Sequence, residues 1–176
     1  MHDPALPTAW TRPRPEHWGT DRDACYAALI PELDALLAGE PDAVATTANA
    51  AAAIYHGLPA LNWAGFYFLR GAELVLGPFQ GRPACVRIPL GRGVCGTAAA
   101  ERRSILVPDV QAFPGHIACD VESRAELVVP LLAGDRLLGV LDLDSPVPGR
   151  FDPADQHGCE QLAAVVVRHL GNSVLS

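Results

Sequence analysis

Between His116 and Glu126 the sequence HIACDVESRAE sets a histidine, a cysteine, an aspartate, two glutamates, a serine and an arginine. A thiol at Cys119, surrounded by groups that donate protons or hold cations, has three ordinary uses: nucleophilic or redox chemistry, metal ligation, or none beyond filling space. The cysteine count bears on the choice. The chain has five, an odd number that argues against a closed disulfide framework and, in a reducing compartment, favours core, metal-binding or redox roles.

Two of the five separate from the rest by helical spacing. Cys25 falls on one face with Leu29, Leu33 and Leu36, and Cys159 shares a face with Leu162 and Val166; both read as small buried hydrophobes. Cys85, Cys95 and Cys119 do not follow an apolar stripe. One sits in a strand, one at a helix start and one in a polar loop. Cys95 follows Arg92 into a helix, where unpaired N–H groups and a nearby cation are expected to lower its pKa. Zinc held by these thiols with His116 is a weaker reading, because the ligands are scattered and no C-x-x-C pair is present.

The elements that must position these groups follow from pattern. Residues 1–20, with Pro4, Pro7, Pro13 and Pro15, read as an extended tail, and residues 21–176 as one domain. A first helix starts at Asp21 and stops near Gly39, with Pro31 expected to kink or split it. A second runs from Pro41 to the Gly57-Leu58-Pro59 stop. Strands are expected over Asn62–Leu69, Glu73–Leu76 and Ala84–Ile88, then Ile105–Val107, then a hairpin of Glu126–Leu132 and Arg136–Asp144. A final helix has Asp152 as N-cap and Pro153 at its first position. Helices at the two ends around antiparallel strands define an α+β fold.

The formal net charge of −7 argues against a nucleic-acid or anionic-membrane partner. No apolar run approaches the ~20 residues of a membrane span, and the proline-rich start does not read as a signal peptide. The expected location is the cytoplasm.

Two further motifs carry chemistry. GRGVCG, with Gly91, Gly93 and Gly96, matches a dinucleotide-binding pattern, yet the βαβ setting that such a pattern requires is missing. A glycine turn presenting helix N–H groups to a carboxylate or thiolate fits better. In LLGVLDLDS, period-two geometry puts Asp142 and Asp144 on one strand face, the side of Val140 and Leu138. They read either as a strand end emerging into water or as paired carboxylates at a pocket mouth, able to hold an ammonium group. Trp63 and Tyr67 likewise share a face of the first strand, as core aromatics or as a pocket wall.

In order along the chain, NWAGFY, LGPFQG, ACVRIPLGRGVCGTA, DV…FPGHIACD, SRAELVVPL and GVLDLDS resemble the free methionine-(R)-sulfoxide reductases, which are built on a GAF fold with an antiparallel sheet and flanking helices. The likeness spans about Asp21 to Leu170. By position it implies that Cys119 attacks the sulfoxide sulfur and that Cys85 or Cys95 resolves the product as a disulfide. Glu126, Asp142 and Asp144 fall at the polar substrate contacts, and Trp63 and Tyr67 at the aromatic wall. A sulfoxide sulfur is a poor electrophile until its oxygen is protonated, and Glu126 beside Asp142 or Asp144 is an arrangement that can keep a carboxyl protonated for that purpose. The resemblance further implies a sulfenic acid intermediate, recycling by thioredoxin, and no metal or organic cofactor; it leaves room for a homodimer. Two rival readings are a GAF module that binds a small molecule without transforming it, and a cysteine hydrolase with His116 as its base.

Overall fold

The computed structural model describes residues 22–113 and 122–171. The expected tail over residues 1–20, and the Cys119 and His116 assignments, lie outside the described residues. Among the described residues four α-helices, α1 (Arg22–Leu37), α2 (Ala43–Gly57), α3 (Gly93–Glu101) and α4 (Pro153–Leu170), flank six strands: β1 (Trp63–Arg70), β2 (Glu73–Gly81), β3 (Arg87–Pro89), β4 (Ile105–Val107), β5 (Ala125–Ala133) and β6 (Arg136–Ser145). Every strand pair is antiparallel, in the order β3-β2-β1-β6-β5-β4.

The central strands are covered on both faces, so their side chains sort by period two into two cores. On β1, Ala64, Phe66 and Phe68 meet α1, α2 and α4, while Trp63 and Tyr67 point to the side of α3. On β5, Leu127, Val129 and Leu131 join the first core and Val128 the second. The helical layer closes with Leu33, Leu37, Ile54 and Leu58, all at most 1% exposed. Truncating one such leucine costs about 2–5 kcal/mol.

Several boundaries differ from those expected from sequence. Pro31 does not split α1; it sits on the exposed face of a continuous helix. The second helix begins at Ala43 rather than Pro41, because Asp42 takes the N-cap and its side chain accepts the Ala45 N–H at 2.8 Å. β2 continues past Leu76 to Gly81. A register shift opposite Gly65–Tyr67 absorbs Gly77 and Pro78 as a bulge, which accommodates the N–H that proline lacks. Leu138 does not share the face of Val140. The β6 partner of Leu131 is Gly139 but that of Leu132 is Leu137, so Leu138 is the extra residue of a bulge and turns into the helical core. Gly139 is required beside it, since a Cβ there would stand 2.0 Å from the Tyr67 carbonyl oxygen.

One polar cluster joins the two terminal helices. Asp155, fully buried, accepts from Tyr26 Oη at 3.1 Å and from Arg150 Nη1 at 2.9 Å, and also pairs with Arg22. Asp152 caps α4 as expected, with the Ala154 and Asp155 N–H groups at 2.9 and 3.0 Å. Cys159 belongs to the same cluster, 3.5 Å from Tyr26 Oη; burial, more than any other influence, pushes its thiol up to about 12. The Tyr26 ring lies against Gly158, where a Cβ would come within 2.3 Å of ring atoms. Gly158→Ala should therefore lower unfolding free energy by about 1–3 kcal/mol, the usual cost of overpacking. Urea melts of the two proteins check this, and unchanged stability would show that the contact between α1 and α4 is loose.

Candidate active site

The side chains that could do chemistry gather where the α3 side of the sheet meets its last three strands. Asp144 on β6 stands opposite Trp63 on β1 and opposite Glu126 on β5. One step along, Asp142 stands opposite Gly65 and Val128. Directly opposed residues of an antiparallel pair hold their Cβ atoms about 4.5–5.5 Å apart, so the register forces three acidic side chains into one neighbourhood. Like charges set opposite one another destabilise a sheet, which makes this placement costly for folding and useful for something else.

Gly65 makes the space. A Cβ there would stand 2.3 Å from the Phe79 Cβ and 2.6 Å from the Trp63 ring. Its absence lets Trp63 stack on Phe79 at 5.3 Å and lie near Tyr67 at 5.9 Å between centroids. The indole N–H of Trp63 donates to the Arg82 carbonyl at 3.1 Å, which fixes the ring.

Above this floor α3 delivers Cys95. Gly91 and Gly93 take positive φ of 76° and 61°, and a Cβ on Gly96 would stand 2.3 Å from the Pro89 carbonyl oxygen. The glycines of GRGVCG thus let the helix start close against β3. Cys95 Sγ lies 3.9 Å from Glu126 Oε1 and is also within hydrogen-bond reach of Asp142. Cys95, Glu126 and Asp142 are all buried, at 4%, 6% and 6% exposure. One Asp142 oxygen, Oδ1, has no hydrogen-bond partner.

Burial governs the protons here. Desolvation, then the charges of Asp142 and Asp144, hold the Glu126 carboxyl far above the usual carboxylate range. Desolvation also raises Asp142, to about 7. The Tyr67 phenol is raised by burial and then by Asp142. Cys95 corrects the expectation of a lowered thiol pKa. Desolvation, followed by the Asp142 and Glu126 charges, raises it well above its ordinary value, outweighing the dipole of a helix of only nine residues. A neutral thiol donating to carboxyl oxygens is the consistent picture.

The structure brings Trp63, Tyr67, Cys95, Glu126, Asp142 and Asp144 to one face. Cys85 lies beyond them, half-buried at the edge of the same core, and is disulfide-bonded; Cys25, Cys95 and Cys159 are free thiols. Sequence reasoning assigned no individual role to Gly65 or Phe79. LGPFQG drew notice as a motif, but only the register shows that its Phe79 completes the aromatic wall. Ligand atoms of Cys95, Glu126 and Asp142 lie within 4.8 Å of one another, a spacing that can hold a cation, whether a divalent metal or an ammonium group.

The GAF domain family matches residues 32–174. The free methionine-R-sulfoxide reductase of Escherichia coli is 51% identical over 148 residues, covering 84% of this chain and 90% of that protein. The enzyme of the same name from Saccharomyces cerevisiae is 42% identical over 154 residues, covering 83% and 86%. Among solved structures, that of free methionine-R-sulfoxide reductase from Neisseria meningitidis in complex with its substrate aligns with a TM-score of 0.82 and 43% identity, over 86% of this chain and 91% of that one.

The raised Asp142 pKa makes a prediction about stability. The native protein holds this proton more tightly than the unfolded chain does, so the linked stability is complete below pH 3.8 and is lost as pH rises to about 7. Asp142→Asn has no such proton. Its stability relative to the native sequence should grow across that window by on the order of a few kcal/mol. Urea melts of both proteins from about pH 4 to about pH 8 measure the change; a constant difference would show that Asp142 ionises normally.

Proposed function

The chain belongs to the free methionine-R-sulfoxide reductases of the GAF-domain family, and we propose that it reduces the free amino acid by a thiol mechanism in which Cys119 attacks and Glu126 supplies the proton. The observation that carries this reading is the group formed by the buried Glu126 and Asp142 with the half-buried Asp144, beside an aromatic wall. A sulfoxide needs a proton on oxygen and a nucleophile at sulfur in the same step. Glu126 is buried, and desolvation with the charges of Asp142 and Asp144 raises its carboxyl well above the ordinary range, which suits it to remain protonated at neutral pH.

Substrate recognition uses the same geometry. Asp142, with an unpartnered buried oxygen, and Asp144 next to it across the strand from Trp63 suit the ammonium of a free amino acid. Its arrival favours the ionised form of Asp142, while the proton stays on Glu126. Trp63 and Tyr67 would line the apolar side chain of the substrate.

In the first step the Cys119 thiolate bonds to the sulfoxide sulfur as the oxygen takes up a proton. Transfer of that oxygen releases methionine and leaves a sulfenic acid. A second thiol then displaces water to form a disulfide. Cys85 is assigned as this resolving thiol because it is the one found in a disulfide, whereas Cys95 remains a free buried thiol whose high pKa disfavours the thiolate. Cys119 is the assigned partner, the other three cysteines being free. Thioredoxin, acting in the cytoplasm, would restore both thiols by exchange.

The purified protein should reduce the R epimer of free methionine sulfoxide with dithiothreitol as reductant, and act weakly on the S epimer and on peptide-bound residues. An amide in place of the ammonium leaves the buried acid unpaired. Equal rates on a blocked peptide and on the free amino acid would sink the substrate assignment. Within the site, Glu126→Gln should slow single-turnover methionine release by roughly 10²–10⁴-fold, the scale of general acid catalysis. Cys119→Ser should abolish release, and Cys85→Ser should permit one turnover and then accumulate sulfenic acid. A Glu126→Gln enzyme with the native rate and pH profile would move the proton donor elsewhere.

A further inference from the structure

β3 is the first strand of the sheet and has only one neighbour, β2. Its register pairs Glu73 with Pro89, Leu74 with Ile88 and Val75 with Arg87. The Leu76 N–H donates to the Val86 carbonyl at 3.0 Å and the Leu90 N–H to the Ala72 carbonyl at 3.3 Å. Hydrogen-bonded residues alternate in an antiparallel ladder, so Val86, Ile88 and Leu90 turn their main-chain groups toward β2. Arg87 and Pro89 turn theirs outward. The Pro89 carbonyl is taken by the Arg92 N–H at 3.1 Å, and proline has no N–H. The outward edge therefore offers one donor and one acceptor, both on Arg87.

Three features surround that pair. Cys85, disulfide-bonded and half-buried, lies two residues before it in the chain. Val86 is 63% exposed, at the upper end of the exposed large hydrophobic side chains of the described residues. The segment from Arg82 to Arg92 carries three arginines and no acid in a chain of net charge −7. Arg82 pairs with Glu122 and Arg87 with Glu73, all four side chains exposed, while Arg92 has no ion pair among the described residues.

We propose that this edge is where the reducing partner, a dithiol redox protein of the thioredoxin class, docks to reopen the Cys85 disulfide. The proposal rests on the recycling step assigned above and adds the surface at which it occurs. A partner segment pairs as a short antiparallel strand with the Arg87 N–H and C=O and covers Val86. A single donor–acceptor pair bounded by Pro89 allows brief docking and discourages the extended pairing to which open edges are prone. The uncompensated cation favours a partner with an acidic or neutral face.

The exchange balances as follows. A thiolate of the partner attacks Cys85 Sγ, forming a mixed disulfide and expelling the other sulfur of the protein disulfide as a thiolate. The partner's second thiol, deprotonated, attacks its own sulfur in the mixed bond and releases the Cys85 thiolate. Two electrons pass to the protein, the partner leaves oxidised, and the two protons lost by its thiols end on the two cysteines.

The test compares two reductants on the oxidised full-length protein, by stopped-flow fluorescence with reduced thioredoxin and with dithiothreitol. Val86→Asp and Arg87→Pro should each lower the second-order rate constant with thioredoxin roughly tenfold and leave the dithiothreitol rate within about twofold. Arg87→Ala, which keeps the N–H but loses the ion pair with Glu73, should fall less than Arg87→Pro. Unchanged thioredoxin rates would overturn the proposal, as would equal losses with both reductants, which would place the effect in the disulfide itself. If Val86→Asp separates a dimer without changing the thioredoxin rate, the edge is a self-interface and the proposal is again overturned. A protein that thioredoxin reduces but that leaves methionine sulfoxide untouched would refute the proposed activity and not the docking surface, because this measurement reads the disulfide directly.

Discussion

The site depends on taking facing acidic side chains out of water. Glu126 is 6% exposed and is paired across the strands with Asp144, while Asp142 is equally buried one step away. In water these carboxyls would ionise independently and repel weakly. In a medium that solvates charge poorly, each ionisation penalises the next, and the last proton is held tightly. That constraint gives an ordinary glutamate the raised pKa that the proposed proton transfer requires. It also leaves the face electronegative enough to attract an ammonium group and keeps the Cys95 thiol neutral. In the proposed mechanism this one arrangement serves both substrate binding and proton supply.

The fold serves this arrangement by rigidity. β6 lies between β1 and β5, so both neighbours of the acids belong to the best-paired part of the sheet. The opposite face is filled by Phe66, Leu127, Leu141 and Leu143 against the helices, and α1 is tied to α4 through Asp155. Glycines act where backbone or ring must come close: Gly65 under the aromatic wall, and Gly96 where α3 meets Pro89. The bulge at Leu138 changes the facing of β6 before the strand reaches Val140, Asp142 and Asp144. Strand pairing, not loop geometry, therefore places all three acids.

Much of this was legible in the sequence. Strand and turn signals predicted the hairpin of Glu126–Leu132 and Arg136–Asp144, and period-two geometry the common face of Asp142 and Asp144; the Asp152-Pro153 signal predicted the start of α4. The Cys25 and Cys159 stripes led into the helical core. What escaped was set by tertiary context. Local pattern gave no sign that Leu138 would be the extra residue of a bulge, or that β2 would run through Gly77-Pro78. The thiol of Cys95 was misjudged because a helix start argues for a lower pKa, while the opposing burial and negative charge come from strands thirty-one and forty-seven residues away. The role proposed for Cys119 came from resemblance and the proton-donor role proposed for Glu126 from sulfoxide chemistry; spacing alone left the thiol several uses.

The central claim is that Glu126 keeps its proton at neutral pH. Carbon NMR of side-chain carboxyl groups, with Glu126 assigned by its loss in Glu126→Gln, follows that proton directly through a pH titration of the reduced protein. The account predicts that the Glu126 resonance remains that of a protonated acid after the exposed carboxylates have ionised, with a transition well above its ordinary value. A Glu126 transition close to its ordinary value of 4.5 would contradict it.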